Sequence, residues 1–254
     1  MIFEYYKNSM YIYRENLMKK ILTYFAYFGA EDVDEKTFIQ RYLIISKQLS
    51  YIHELEKTYP FDRKYIVSTI PSQHDIFLEH LSQKYGYQIV REYISRENTF
   101  EYPGFAAMNQ LSSTMSDDKD ILFYFHSKGV GILEDAWLSS TFFEINVHAL
   151  MACDIEKIFE SSKILRVGLF PSEYGWMWHN FFAVRPSIMG KPVFIDGCRY
   201  AYESFIGNCS NPLEYLSSYS LLPERFPNAD FVIRPFYTPE NLSRDILFKL
   251  SLRD

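Results

Sequence analysis

The chain alternates short apolar runs with longer segments whose apolar residues recur at helical spacing. Ile21–Phe28 (ILTYFAYF) is short and aromatic-rich, which predicts a buried strand, and Gly29 stops it. Asp34-Glu35-Lys36 opens a helical pattern reaching about Glu56, with Phe38, Tyr42, Ile45 and Leu49 on one stripe. Lys64–Ile70 (KYIVSTI) predicts a second strand closed by Pro71, and Ser72 through Tyr85 a helix with Ser72 as N-cap. A third strand is predicted at Tyr87–Tyr93, a helix over residues 101–115, and a polar turn at Asp117-Asp118-Lys119-Asp120. Ile121–Phe125 is a further buried strand. A helix from about Ala136 to Glu160 and a strand at Ile164–Phe170 complete the regular rhythm. Beyond it, Trp176–Val184 and Pro192–Ile195 read as short strand pieces and Arg199–Ile206 as the entry to a helix. Pro212, Pro223, Pro227, Pro235 and Pro239 then make the remainder irregular wrapping.

Strand and helix alternating in this way predict an α/β fold: one largely parallel sheet with helices on both faces. With 254 residues, 48% of them apolar, a substantial core can be buried in a single domain. Within that domain we distinguish a first half, about 21–130, and a second half with its C-terminal wrap, 131–254.

Charge narrows the partners. A net charge of −6 argues against nucleic acid, whose phosphates need a basic surface, but leaves room for a nucleotide ligand. Cys153, Cys198 and Cys209 form no CxxC pair and are odd in number, which predicts a reducing, cytoplasmic setting. The apolar stretches are broken by charges well before the roughly 20 residues of a spanning helix. Glu4 and Lys7 interrupt what would be a signal peptide's core. Residues 10–28 carry Arg14, Lys19 and Lys20 among aromatics, so an interfacial helix is weighed against an amphipathic helix running into a strand.

Chemistry concentrates where Ile121–Phe125 ends in His126-Ser127-Lys128-Gly129. Ligands of open α/β sheets sit beyond the carboxyl ends of the strands. Lysine is a point charge suited to phosphate, and glycine lets backbone approach a ligand closely. A polar turn after a core strand is the other reading of the same residues. Asp118-Lys119-Asp120 fits the metal-holding pattern Asp-x-Asp, but it precedes the strand and reads as a solvated turn. GxSxG, P-loop, HExxH and GxGxxG are absent, and His74 and His80 are too far apart in sequence for a metal pair.

Four blocks taken together are more specific. Asn98-Thr99-Phe100-Glu101-Tyr102-Pro103 followed by the His-Ser-Lys-Gly strand resembles a set of bacterial and large-virus glycosyltransferases. That set carries an Asn…Tyr/Phe-Glu-Phe/Tyr-Pro segment and a strand ending in His-Thr/Ser-Lys-Gly. Its Gly-Asn-Phe-Trp-Trp-Ala block is similar to His179-Asn180-Phe181-Phe182-Ala183-Val184, and its Tyr-Glu-x-x-Phe/Trp-Ile-Gly block to Tyr202-Glu203-Ser204-Phe205-Ile206-Gly207. The likeness covers about residues 98–207. His179 stands where the family has glycine, and both tryptophans are replaced.

The resemblance implies a GT-A type fold, a nucleotide-sugar donor and a glycan or glycolipid acceptor. The first half would bind the nucleotide sugar and the second the acceptor. Lys128 would neutralise the leaving diphosphate, a role that many such enzymes give to a metal. His126 would either donate a hydrogen bond to phosphate or, as neutral imidazole, ligate Mn²⁺ or Mg²⁺. Glu203, at a predicted helix start, would be the general base or merely complement the helix dipole. Glu101 would contact a sugar or ribose hydroxyl, cap the helix after it, or bond structurally to the neighbouring strand. Asn180 would meet the donor sugar or a backbone group. Tyr27, Phe28 and Gly29 are placed by topology to receive the base, with Ser127 and Gly129 beside the phosphates. Trp137, Trp176 and Trp178 would stack on sugars or fill the core. A lipid-borne acceptor would put the protein at the inner face of a membrane.

Overall fold

The computed structural model describes residues 18–117, 119–128, 130, 136–171, 177–194, 202, 205 and 218–221. Seven strands form one sheet, β1 (Lys19–Tyr27), β2 (Arg63–Thr69), β3 (Gln88–Ile89), β4 (Asp120–His126), β5 (Arg166–Gly168), β6 (Phe182–Val184) and β7 (Ser218–Ser220). Its order is β3-β2-β1-β4-β6-β5-β7. All pairings are parallel except the two that β6 makes. The helices are α1 (Glu35–Leu55), α2 (Asp75–Tyr85), α3 (Tyr102–Ser112), α4 (Ala136–Met151) and α5 (Ile155–Phe159). The α/β architecture, a mostly parallel sheet flanked by helices, is the one the alternation predicts.

The central strands are covered on both sides, which explains why they read as continuous apolar runs. Side chains alternate between faces. Leu22, Tyr24, Ala26, Phe123 and Phe125 pack with the buried stripes of α1, α2 and α4. Ile21, Phe25, Leu122 and Tyr124 face α3 and pack on Phe105, Ala107 and Met108. Phe38, Ile45, Leu49 and Ile52 of α1 are fully buried, each contributing about 1.5–3 kcal/mol. Asp34 starts that helix by accepting a hydrogen bond from the Thr37 N–H at 3.0 Å.

Several boundaries move for local reasons. The third strand stops at Ile89, because the chain turns through a 3-10 segment at Arg91–Tyr93 and rejoins β2 only at Ser95. The helix expected from Ser72 begins at Asp75 after a 3-10 turn. The segment expected as one helix to Glu160 breaks at Asp154, whose carboxylate caps α5 through the Lys157 N–H. The strand expected at Ile164–Phe170 is Arg166–Gly168. Trp176–Val184 resolves into a 3-10 turn at Trp178–Asn180 and β6, and no strand forms at 192–194. Residues 19–27 are an interior strand of the sheet, between β2 and β4, so they belong to no interfacial helix; residues 10–17 lie outside the described residues. Among the described residues no helix is long and apolar enough to cross a membrane.

Candidate functional site

The chain runs outward through β1, β2 and β3, then returns to lay β4 on the other side of β1. Helices α1 and α2 cover one face and α3 the other. The direction therefore reverses between β1 and β4, and the carboxyl ends of those strands open the crevice where α/β sheets hold ligands. His126 ends β4 opposite Phe25 of β1.

Glu101 is the hub at this end. One carboxylate oxygen, Oε2, accepts from the Tyr124 hydroxyl at 3.2 Å and from Asn180 Nδ2 at 2.9 Å. The other, Oε1, stands 3.6 Å from His126 Nδ1. Tyr124 and His126 are two apart on one strand, so both side chains reach the α3 face, stacked with ring centroids 6.2 Å apart. Tyr124 is fully buried, and burial with the adjacent carboxylate pushes its hydroxyl pKa well up, which keeps it a donor. Glu101 does not cap α3 with its side chain; its carboxylate bonds to the neighbouring strand β4 through Tyr124, as the structural alternative expected. Gly104, one turn along, lets α3 come close, since a Cβ there would lie 2.6 Å from Tyr124 Oη.

His126 is fixed through Nε2, with Nδ1 beside Glu101. Nε2 lies 2.8 Å from the His179 carbonyl, which can only accept, so this nitrogen carries a proton. Nδ1 faces a carboxylate. The ring is thereby turned so that its Nδ1 edge faces the Glu101 carboxylate. Among the described residues no three His, Cys, Asp or Glu side chains form a group that could hold a metal ion.

Backbone strain collects here. Phe100, His179 and Asn180 are the non-glycine residues with positive φ among those described, at 52°, 68° and 53°. Each such residue costs on the order of 1–3 kcal/mol unless its surroundings over-determine it. Asn180 is fully buried in a kink and not on a strand as its neighbours predict. Its Nδ2 also donates to the Tyr202 carbonyl at 3.3 Å, while Oδ1 is buried without a partner among the described residues. His179 sits edge-on to Phe142, 4.4 Å between centroids. Burial, then the nearby Lys128 and His126 charges, hold its pKa well below the ordinary 6.5, so its ring is neutral at pH 7. The glycine of the resembling family suits the same left-handed backbone.

The α1 side braces the other wall. Ser127 Oγ accepts from the Tyr27 N–H at 2.8 Å, tying the ends of β1 and β4. Gln48 Nε2 donates to the Lys128 carbonyl at 2.7 Å. Arg41 bonds the Val130 carbonyl at 3.1 Å and the Phe28 carbonyl at 3.3 Å, with its guanidinium 5.0 Å from the Tyr27 ring centroid. Phe28 itself points into the core against Phe38, so it offers the strand end only backbone. Gly29, at φ 129°, has Val33 and Arg41 atoms 2.7–2.8 Å from where a Cβ would stand, which only glycine tolerates. Lys128 Nζ lies 6.0 Å from the Phe142 ring centroid.

The structure thus brings together Glu101, His126, Ser127, Lys128 and Asn180, with Tyr27 and Gly29 at the adjoining strand end. Glu203 and Gly129, the Trp176 residue, and the side chains of Trp137 and Trp178 lie outside the described residues; Tyr202, just before Glu203, is bound to Asn180. Asp117 accepts the Ser187 N–H at 2.8 Å and Asp120 the Ser116 N–H at 2.9 Å, at the opposite end of β4, as a structural turn would. Tyr124, Gln48, Arg41 and the His179 carbonyl are participants that sequence reasoning missed. Gln48 left a signal: an amide between Ile45, Leu49 and Ile52 on the core stripe of a helix.

No family model matches this chain, and no curated protein matches it. Among solved structures it is similar to a cytidylyltransferase from Leptospira borgpetersenii serovar Hardjo-bovis (strain JB197), with 13% identity over 80% of this chain and 76% of that one and a TM-score of 0.41. A likeness of that extent carries no argument about activity. What the fold defines is an α/β protein, and the β1/β4 strand ends are its candidate site.

Proposed function

We propose that this protein is a glycosyltransferase that moves a sugar from a nucleotide diphosphate donor to a hydroxyl of a glycan or glycolipid acceptor, with inversion. The observation that carries this reading is convergence. Glu101, His126, Asn180 and Tyr202 come from the four separate blocks that resemble glycosyltransferases, and they form one cluster: Asn180 bonds Glu101 and the Tyr202 carbonyl, and His126 bonds the His179 carbonyl and faces Glu101 at 3.6 Å. Blocks chosen by chance for their sequence likeness have no reason to meet at a strand end.

In this reading the acceptor oxygen attacks the anomeric carbon as the bond from that carbon to the diphosphate oxygen breaks. The departing electron pair stays on the nucleoside diphosphate, whose charge Lys128 and His126 stabilise. Glu203 takes the acceptor hydroxyl's proton. Tyr27 and Gly29 border the nucleotide, and Asn180 and Glu101 the donor sugar. The charge at the site comes from this chain's own side chains, and no step is assigned to a divalent ion.

The test is release of nucleoside diphosphate from a panel of UDP-, GDP-, ADP- and CDP-linked sugars, with water or added glycans as acceptor. The reading expects turnover with one donor class and its loss in Glu203→Gln. Absence of release and of binding with every donor would overturn it in favour of a non-catalytic binding module.

A further inference from the structure

Gln48 is an anomaly that the proposed chemistry does not use. It is 3% exposed on the core stripe of α1, where an amide without partners is costly. Both ends of that amide are satisfied, and by groups that leave no choice of orientation. The Tyr24 hydroxyl, itself fully buried, donates to Oε1 at 2.7 Å. Burial holds the Tyr24 hydroxyl pKa well above the ordinary 10.0, so it remains a donor at any working pH. The Lys128 carbonyl, which only accepts, takes the Nε2 proton at 2.7 Å. A rigid strand side chain, a helix side chain and the backbone of the turn after β4 are thereby joined in series.

Two helical turns before Gln48, on the same face of α1, Arg41 anchors the same turn in a parallel way. It bonds the Val130 carbonyl at 3.1 Å and the Phe28 carbonyl at 3.3 Å. The turn that carries Lys128 is consequently fastened to α1 on either side of residue 129. The hydroxyl of Ser127 fastens it to β1 as well. A point charge on a long flexible stem gains from having its backbone origin fixed, because less freedom is lost when it meets an anion.

We propose that Gln48 is a positioning residue for Lys128: its buried amide, wedged between Tyr24 and the Lys128 carbonyl, fixes the backbone from which the lysine ammonium meets a diphosphate. This rests on the diphosphate role given to Lys128 above. Gln48 touches no reacting atom.

Inorganic pyrophosphate, the part common to nucleoside diphosphates, is the probe, with affinity measured by titration calorimetry on the full chain. Gln48→Leu keeps the volume and removes both bonds; it should weaken pyrophosphate about tenfold, the worth of a lost hydrogen bond to backbone. In a Lys128→Ala background the same change should add little, since Gln48 acts through that lysine. Gln48→Glu supplies a second reading if the leucine variant fails to fold. Its carboxyl can donate to the Lys128 carbonyl only when protonated, so its affinity relative to the natural protein should recover as pH falls. Natural affinity in Gln48→Leu, an undiminished further loss in the Lys128→Ala background, or a pH-independent Gln48→Glu deficit would each overturn the positioning role. Pyrophosphate failing to bind the natural protein is a different result, and it would overturn the diphosphate site together with the role built on it.

Discussion

Asn180 donates from Nδ2 to Glu101 Oε2 at 2.9 Å across 79 residues of chain. The bond joins the start of α3 to the kink before β6, and both partners also hold a third element. Glu101 faces His126 on β4, and Asn180 holds the Tyr202 carbonyl. One carboxylate thus organises the carboxyl end of the sheet.

Removing that carboxylate should be felt throughout the site. Glu101→Ala leaves the buried Tyr124 hydroxyl and Asn180 amide without their shared acceptor and His126 without its counter-charge. A loss of about 3 kcal/mol is expected in denaturant unfolding. Glu101→Gln, which can still accept one of these bonds, should lose less. Equal stability of Glu101→Ala and the natural protein would show that the cluster holds nothing together.

Acid should weaken the fold through His179. The folded protein keeps this ring neutral, whereas an unfolded chain protonates it near 6.5. Below that pH the unfolded state binds more protons, so stability is full above about 6.5 and falls as pH drops, by about 1.4 kcal/mol per unit for one group. His179→Gly accepts the φ of 68° without strain and removes the titrating ring. The difference between the two proteins, followed from pH 7 to pH 5, should therefore shift in favour of the glycine variant. A difference that stays flat contradicts the assignment.

Gly104 tests how closely α3 must approach. A Cβ there would meet Tyr124 Oη at 2.6 Å, Tyr124 Cε2 at 2.8 Å and Phe25 Cβ at 3.1 Å. Gly104→Ala gains helix propensity but forces α3 off the sheet, and a net loss of about 1–3 kcal/mol is expected. Because Glu101 rides on the same helix end, ligand affinity should fall with stability. A stabilised variant would mean that the contact relaxes freely.

Lys128→Ala separates function from fold. The side chain is half-buried at the site, over Phe142. Its removal should change stability little while weakening a nucleoside diphosphate by tenfold or more, with a reduced dependence on salt. Unaltered affinity removes Lys128 from the diphosphate role.

Much of the fold was legible because the central strands announce themselves. Ile21–Tyr27 and Ile121–Phe125 are buried on both faces, and such runs carry no competing helical period. The short strands were legible in place but not in extent: β3 and β5 fall inside the predicted 87–93 and 164–170 runs, and their ends are set by partners, the Ile66 carbonyl receiving the Val90 N–H and Val167 pairing with Ala183, which leave no local period. β7, Ser218–Ser220, lies in the stretch that read as irregular wrapping, because its pairing with β5 has no signal in its own three residues. At the site, the residue types of the four blocks pointed to Glu101, His126 and Asn180 before their contacts were known. Their geometry did not follow: Asn180 was expected on a strand because Phe181–Val184 looks like one, yet the left-handed pair His179-Asn180 turns its amide toward Glu101. Gln48 and Arg41 were invisible as site residues, since a helix pattern shows that a polar side chain is buried but not which carbonyl it meets.

The central claim is that these strand ends bind a nucleoside diphosphate, and its most direct test is thermal unfolding against a panel of nucleotides and nucleotide sugars, each with EDTA and with Mn²⁺. A ligand that binds only the native state stabilises it by about 2.7 kcal/mol at a hundredfold excess over its Kd, several degrees for a chain of this size. The account predicts such a shift with one class of nucleoside diphosphate, undiminished in EDTA and lost in Lys128→Ala. Melting temperatures that stay put with every nucleotide, with or without Mn²⁺, would contradict it.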